Sequence, residues 1–280
     1  MAALETPVLD DHLHLHPDGR GVEAAAAFAR AGGTHLLVVN RPSWHFVEEV
    51  RQPDAFETAY EATIDLVEAA SERLPGRAWA VLGVHPGAIT HLVDGVGVDL
   101  DRASELMAAG LERAVAHVEA GRALALKSGR PHYPVDDDVW TASNEQLRRA
   151  LEFAASADCA VQLHTENTDD LAEVARWARR AGLDASRVVK HFAGGPVAGV
   201  TPSVIARREA VEAAASLDRF LLETDFLDDP GRPGAVLGPK VVPRRSRALA
   251  EAGRRDALAV AHVETPRSVY GIDTRRTLGR

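Results

Sequence analysis

Cysteine is nearly absent from this chain. Cys159 stands alone among 280 residues, so no intrachain disulfide can form. No apolar run approaches the roughly 20 residues that a membrane-spanning helix needs. The stretch Met1-Ala2-Ala3-Leu4-Glu5 has neither the charged nor the apolar block of a signal peptide. These absences lead us to expect a cytoplasmic protein with no membrane partner. Short repeats, low-complexity tracts and a convincing linker are missing too. So is the glycine-rich phosphate fingerprint that nucleotide folds carry after their first strand.

Lysine is scarce as well. Of 32 basic residues only Lys127, Lys190 and Lys240 are lysine, a bias that looks like a GC-rich genome. Where arginine is the default cation, a lysine at a strand end stands out as a place for amine chemistry that guanidinium cannot perform. The net charge of −9 argues against a broad electrostatic grip on nucleic acid, and extended nucleic-acid binding is not expected. In a salt-adapted organism an acidic surface reports solvent rather than partner, so a nucleotide substrate stays open beside a small-molecule one. The oligomeric state cannot be read from the sequence.

What is present is a chain that is 46% hydrophobic and able to bury a large core. Its length fits one barrel domain over 1–280 better than two small domains. Periodicity predicts strands over 8–15, 34–40, 78–84, 123–127, 160–165, 187–191, 199–204 and 220–225, with Pro202 interrupting the seventh. Helices are predicted over 21–30, 100–119, 144–157, 169–181 and 207–216, and over most of 44–74 with a break at Pro53. Residues 128–134 and 229–243 read as loops, and two more helical stretches run to about Tyr270. Such alternation leaves an open doubly wound sheet or a closed barrel. The strand count and the polar strand ends favour an α/β fold of the (β/α)8 TIM-barrel type, with its chemistry at the C-terminal ends of the strands.

Those ends carry a set of related side chains. Leu9-Asp10-Asp11-His12-Leu13-His14-Leu15-His16 opens the first strand, and the two-residue alternation puts His12 and His14 on one face with Asp10. Two imidazoles on a rigid strand suit zinc or a similar divalent ion. A single histidine on an apolar strand is more often a core residue. Here, however, Lys127, His164, His191 and Asp225 end the fourth, fifth, sixth and eighth strands on the same rim. Together they point to a metal site. Parity places Ala123, Ala125 and Lys127 on one face, and Gln162 with His164.

The ordered pieces Asp10-Asp11-His12-Leu13-His14-Leu15, Gly83-Val84-His85-Pro86, Gln162-Leu163-His164-Thr165-Glu166, Val189-Lys190-His191 and Leu222-Glu223-Thr224-Asp225 resemble the metal-dependent amidohydrolase superfamily. They are most similar to its TatD-like branch, particularly archaeal members. The resemblance runs over about residues 8–230. It implies a (β/α)8 barrel, hydrolytic chemistry and one or two divalent metals, zinc first, with magnesium or manganese as alternatives. It also implies that His12, His14, His164, His191 and Asp225 are metal-site residues.

One position departs from the pattern. TatD-like enzymes usually place a metal-bridging glutamate at the end of strand four, in a Gly-Glu-x-Gly setting. This chain has Leu126-Lys127-Ser128-Gly129. An ammonium cannot ligate and is repelled by a cation. Lys127 therefore either reacts with carbon dioxide to give a bridging carbamate, as in the similar phosphotriesterase branch, or stays charged in one metal's place. The arginine bias favours carboxylation.

The implied chemistry is a metal that brings the pKa of water from about 15.7 toward 7, with Asp225 orienting that water and passing its proton to the leaving group. The leading substrate class is the phosphodiester, including DNA ends. A triester, lactone or amide is the alternative, and a barrel that binds metal without turnover is a third reading. Candidate substrate contacts are His85, Arg130, His132 and Glu166. Arg130 could hold an anion or fix its loop by a salt bridge, and Asp10 could orient a ligating imidazole or make a plain hydrogen bond. Lys190 has the opposite parity to His191 and reads as structural. His16, His35, His45, His91, His117 and His262 read as surface or core residues. Cys159 reads as buried rather than nucleophilic. The 229–243 segment could close over the site or lie on the surface.

Overall fold

The computed structural model describes residues 4–278, so Met1, Ala2 and Ala3 of the N-terminal stretch lie outside the described residues. The first half runs β1 (Leu9–His14), α1 (Val22–Arg30), β2 (His35–Val39), α2 (Asp54–Ser71), β3 (Ala78–Gly83), α3 (Ala88–Thr90), α4 (Leu100–Glu119), β4 (Ala125–Gly129) and α5 (Asp137–Ser156). The second half runs β5 (Ala160–His164), α6 (Ala172–Ala181), β6 (Val188–Ala193), β7 (Thr201–Ile205), α7 (Arg208–Ala214), β8 (Leu221–Glu223), β9 (Phe226–Leu227), α8 (Val241–Glu251), α9 (Arg255–Ala259) and α10 (Thr265–Tyr270).

Every strand pair is parallel, in the order β8-β7-β6-β5-β4-β3-β2-β1-β9. β8 and β9 are two pieces of one last strand. Its first piece pairs with β7, and its second pairs with β1 through Leu13↔Phe226 and His14↔Leu227. The sheet therefore closes on itself, as an eightfold α/β barrel requires.

Alternation along the strands builds two apolar layers. Leu9, Val39, Val81, Ala125, Ala160, Val189 and Leu221 form the interior, where Tyr270 and Ile272 join them from α10 and the residues after it. Leu13, Val38, Leu82, Leu126, Val161, Leu163 and Leu222 face outward and pack with helix residues such as Phe28, Phe56 and Tyr60. Helix ends follow local chemistry. The Asp99 carboxylate caps α4 by accepting from the Arg102 N–H at 2.7 Å, and Gly182 ends α6 at φ 89°.

Several sequence expectations are corrected. The fourth strand runs to Gly129 rather than stopping at Lys127, because Ser128 and Gly129 pair with Leu163 and His164. α5 starts at Asp137, seven residues before the predicted start. Its first turn carries Asp137 and Asp138, which suit a helix N-terminus, and Val139 and Ala142 then pack against the core. Residues 46–53 are not helical. Pro202 is accommodated inside β7 opposite Lys190. Pro243 belongs to the first turn of α8, where a missing N–H leaves no intrahelical bond unmade. Among the described residues no helix is long and apolar enough to cross a membrane.

Two glycines let β3, β4 and β5 approach one another beside the strand ends. A Cβ on Gly83 would lie 1.9 Å from the Lys127 carbonyl oxygen, and one on Gly129 would lie 1.7 Å from that of His164. Gly83→Ala is therefore expected to cost on the order of 3 kcal/mol through forced backbone displacement. Gly238→Ala, where an added Cβ meets nothing within 4 Å, should stay within about 0.5 kcal/mol of the parent. Urea denaturation of the two variants checks both values, and equal stabilities would contradict this packing.

Candidate metal centre

β1 supplies the first two imidazoles, and its local irregularity decides how. The β1–β2 register shifts between Asp10 and Leu13, so Asp11 and His12 both reach the interior while Leu13 packs outside. Asp10 is thereby separated from the His12 and His14 face, against the simple alternation. Its carboxylate accepts from the Thr224 N–H at 2.9 Å and the Thr224 hydroxyl at 2.7 Å. Its role is a buried clamp on the last strand rather than a contact to an imidazole. Just beyond the clamp, the Asp225 N–H donates to the His12 carbonyl at 2.9 Å, and Asp225 takes a left-handed conformation at φ 48°. That strained backbone turns the strand from β7 toward β1 and brings the Asp225 carboxylate to 3.6 Å from His14 Nε2.

Hydrogen bonds fix the imidazole tautomers. The Gln162 amide nitrogen donates to the Asp11 carbonyl at 2.9 Å, which leaves its Oε1 as the partner of His12 Nδ1 at 2.7 Å. His14 Nδ1 lies 2.8 Å from the Val39 carbonyl, and His191 Nδ1 lies 2.8 Å from Glu223 Oε1. All three partners accept, so each Nδ1 carries the proton and each Nε2 presents a lone pair. His12 and His14 place those lone pairs 3.3 Å apart. Two acceptors cannot bond to each other, but a cation between them satisfies both. With zinc–nitrogen bonds of about 2.0–2.1 Å, the edge of a tetrahedron is about 3.3 Å. His12, His14 and Asp225 thus fit a divalent metal by donor type and spacing.

Lys127 lies in the middle of this set. It is 1% exposed, and its Nζ is 3.3 Å from His12 Nε2. Burial lowers the Lys127 pKa to about 8, while Asp225 and Glu223 oppose the shift. Burial raises Asp225 to about 7, opposed by Lys127. His14 is pushed down to about 3 by burial and then by Lys127, and His12 and His191 also move well below their usual value. These imidazoles are therefore neutral and free to ligate. The His191 ring stacks on His12 at 3.8 Å between centroids, and His164 stacks on His191 at 5.3 Å. All six proposed metal-site side chains thus gather at one rim.

The candidate substrate contacts divide. His85 is close to His164 at 4.5 Å between ring centroids, and His132 Nδ1 lies 2.9 Å from His164 Nε2. Arg130 has other business. Its fork engages Glu166, Thr165 and Asn144, and its guanidinium lies 4.8 Å from the centre of the Trp140 ring. The loop-fixing alternative describes Arg130, and Glu166 is engaged as its salt-bridge partner. A cavity of about 580 Å³ opens onto His164, His191 and Asp225, and Ala235 and Val236 of the 229–243 segment line it. The loop therefore borders the same cavity as the site. Arg41 anchors its start by donating to the Asp228 carbonyl at 3.3 Å and to Asp229 at 3.0 Å.

Gln162 and Glu223 were not singled out as site residues from sequence, although each stands two positions before one, and strand parity alone could have found them. The Gln162 amide also meets Tyr270 at 2.9 Å, joining the site to the helix below it. Two of the histidines outside the rim have clear local partners. His262 accepts from the Leu9 N–H at 3.2 Å and meets Ser246 at 2.8 Å; His117 meets Glu57 at 2.8 Å.

The chain is similar to known proteins along almost its whole length. Residues 9–271 match the family model described as TatD related DNase. An uncharacterized protein of Methanocaldococcus jannaschii, MJ1127, is 34% identical over 284 residues, covering 95% of this chain and 96% of the relative. Among solved structures, the TatD homolog YJJV of Escherichia coli is 20% identical, with a TM-score of 0.59 over 95% of this chain and 98% of that one. A mutant of a phosphotriesterase-like lactonase from Deinococcus radiodurans is 15% identical, with a TM-score of 0.60 over 97% and 98%. These two structural likenesses show a shared fold.

Glu166 provides a test of the loop-fixing arrangement. Burial alone would raise its pKa, but the hydrogen bonds from Arg130 and Thr165 outweigh that and hold it below its usual value of 4.5. Its contribution to stability is thus present above the unfolded carboxylate value and lost as the pH falls through the lower folded one. Glu166→Gln is expected to destabilise the protein by about 1–3 kcal/mol near pH 7, since Arg130 is buried and Glu166 only partly so. The deficit should shrink toward pH 3. A variant as stable as the parent in thermal denaturation at pH 7 would contradict it.

Proposed function

The chain belongs to the TatD-related DNase family, and from that premise we propose a metal-dependent phosphodiester hydrolase acting on nucleotide or DNA-end substrates. The observation that carries the metal reading is the pair of His12 and His14 Nε2 lone pairs, 3.3 Å apart with both Nδ1 positions bound to acceptors. His12, His14 and Asp225 would hold one divalent ion, with zinc the best match to the nitrogen-rich set. His164, His191 and Lys127 would complete a second position. A bound metal would supply an activated water and polarise the scissile group. The protein's own part is positional. Asp225 takes the proton of the attacking water and delivers it to the leaving oxygen as the phosphorus–oxygen bond breaks, and the loop carrying Ala235 and Val236 limits bulk water.

The buried amine of Lys127 supports carboxylation. Its neutral form attacks carbon dioxide, a nitrogen–carbon bond forms, and one proton leaves. The resulting carbamate is an anionic oxygen donor where TatD-like enzymes place a glutamate. The same lysine favours a second reading, a triester, lactone or amide hydrolase. A barrel that binds metal without turnover is the reading left if neither activity exists.

Hydrolysis of bis(p-nitrophenyl) phosphate and of the dinucleotide TpT is expected to vanish on chelation and to return with zinc or manganese. Asp225→Asn should lower kcat by about 10²–10⁴. Activity on paraoxon or a lactone with none on phosphodiesters would move the assignment to the second reading. Metal binding with no hydrolysis of any of these would move it to the third. Lys127→Ala should lose activity and regain part of it with added acetate, which can stand in for the carbamate. Failure of acetate, together with an intact mass lacking any carbon-dioxide adduct, would leave Lys127 as an ammonium.

A further inference from the structure

The cavity over Asp225 extends past the metal-site residues to a corner formed by the ends of β6 and β7. Lys190, Phe192 and Arg207 line that corner, with Asn167 beside them and Val236 of the bordering loop. Lys190 is buried, and its Nζ donates to the His191 carbonyl at 2.9 Å. An ammonium has three protons, so two stay available. Arg207 is exposed, and its guanidinium carbon lies 5.6 Å from the centre of the Phe192 ring. Among the described residues Arg207 has no salt-bridge partner.

The nearby carboxylates are engaged elsewhere. Glu166 binds Arg130, Glu223 accepts from His191 and from the Phe192 N–H, and Asp225 belongs to the metal centre. Phe192 itself is held at φ 57°, a left-handed conformation that a bulky side chain rarely takes. The Phe192 N–H is fixed by Glu223 at 2.9 Å, and the half-buried residue lines the cavity. The chain as a whole carries −9, yet this corner combines two cations with a flat apolar wall. Neither a neutral triester nor a lactone has a use for that pair of charges.

We propose that the corner is a phosphate subsite, in which Arg207 and Lys190 hold a second phosphate of the substrate while the intervening nucleoside lies against Phe192. The preferred substrate is then a nucleic-acid end with at least two phosphates rather than an isolated phosphodiester. This rests on the phosphodiesterase reading above. A base against an aromatic ring and a guanidinium beside phosphate are both sequence-tolerant contacts, so the subsite selects charge and length rather than sequence.

The test compares the zinc-loaded parent with Arg207→Gln and Phe192→Leu. One readout is the ratio of kcat/KM for pTpT over TpT. The other is calorimetric binding of thymidine 3′,5′-bisphosphate against thymidine 5′-monophosphate. The parent should prefer the two-phosphate member of each pair by about tenfold or more, the effect of one charge-assisted hydrogen bond. Arg207→Gln should lower both ratios several-fold, with the remainder owed to Lys190, and Phe192→Leu should weaken binding of both nucleotides. Phosphodiesterase activity with ratios unchanged in Arg207→Gln would overturn the subsite and leave the general reading in place. Bisphosphate binding that depends on Arg207 without phosphodiester hydrolysis would keep the subsite and overturn the reading.

Discussion

Acceptor groups on the Nδ1 side of three imidazoles organise the rim of this barrel. The Gln162 carbonyl, the Val39 carbonyl and the Glu223 carboxylate each accept a hydrogen bond from an Nδ1–H, so the Nε2 lone pairs of His12, His14 and His191 point away from their anchors. Such partners hold the ring orientation and raise its basicity. The anchors are themselves fixed. Gln162 is tied to Asp11 and Tyr270, and Glu223 to the Phe192 N–H. The site therefore inherits its geometry from the sheet beneath it and from the helix that plugs the barrel, not from flexible loops.

Closure of the sheet is the second constraint. The last strand must leave β7 and reach β1 within two residues, Thr224 and Asp225. Asp10 holds the first and the His12 carbonyl the second. The left-handed backbone at Asp225 is a consequence of that jump, and it also aims the carboxylate at His14. Fold closure and assembly of the candidate metal site are one local event here. Burial then sets the protonation of the cluster, keeping the imidazoles neutral and moving Lys127 and Asp225 toward each other in pKa.

Much of this was legible in the sequence, because strand alternation is a short-range signal. His12, His14, Lys127, His164, His191 and Asp225 could be placed on one rim from parity and order alone. Parity failed at Asp10, since a bulge in β1 adds a residue that no hydrophobic pattern announces. The true end of β4 was hidden because Ser128 and Gly129 are held by pairing with β5 rather than by their own propensity. α5 began early because acidic residues favour its first turn and because Val139 and Ala142 find core partners that lie far away in sequence. Arg130 looked equally suited to an anion or a salt bridge; only the placement of Glu166 and Asn144 decides between them.

Metal content is the most direct test of the account. Protein purified without chelator and exchanged into micromolar zinc, then measured by elemental analysis, is expected to hold one or two equivalents per chain. His12→Ala/His14→Ala should hold at least one fewer, while Gln162→Leu should retain metal with about 10–100-fold weaker affinity. A parent protein that binds no zinc, manganese or cobalt above the level of the double variant would contradict the central claim that these lone pairs converge to hold a cation.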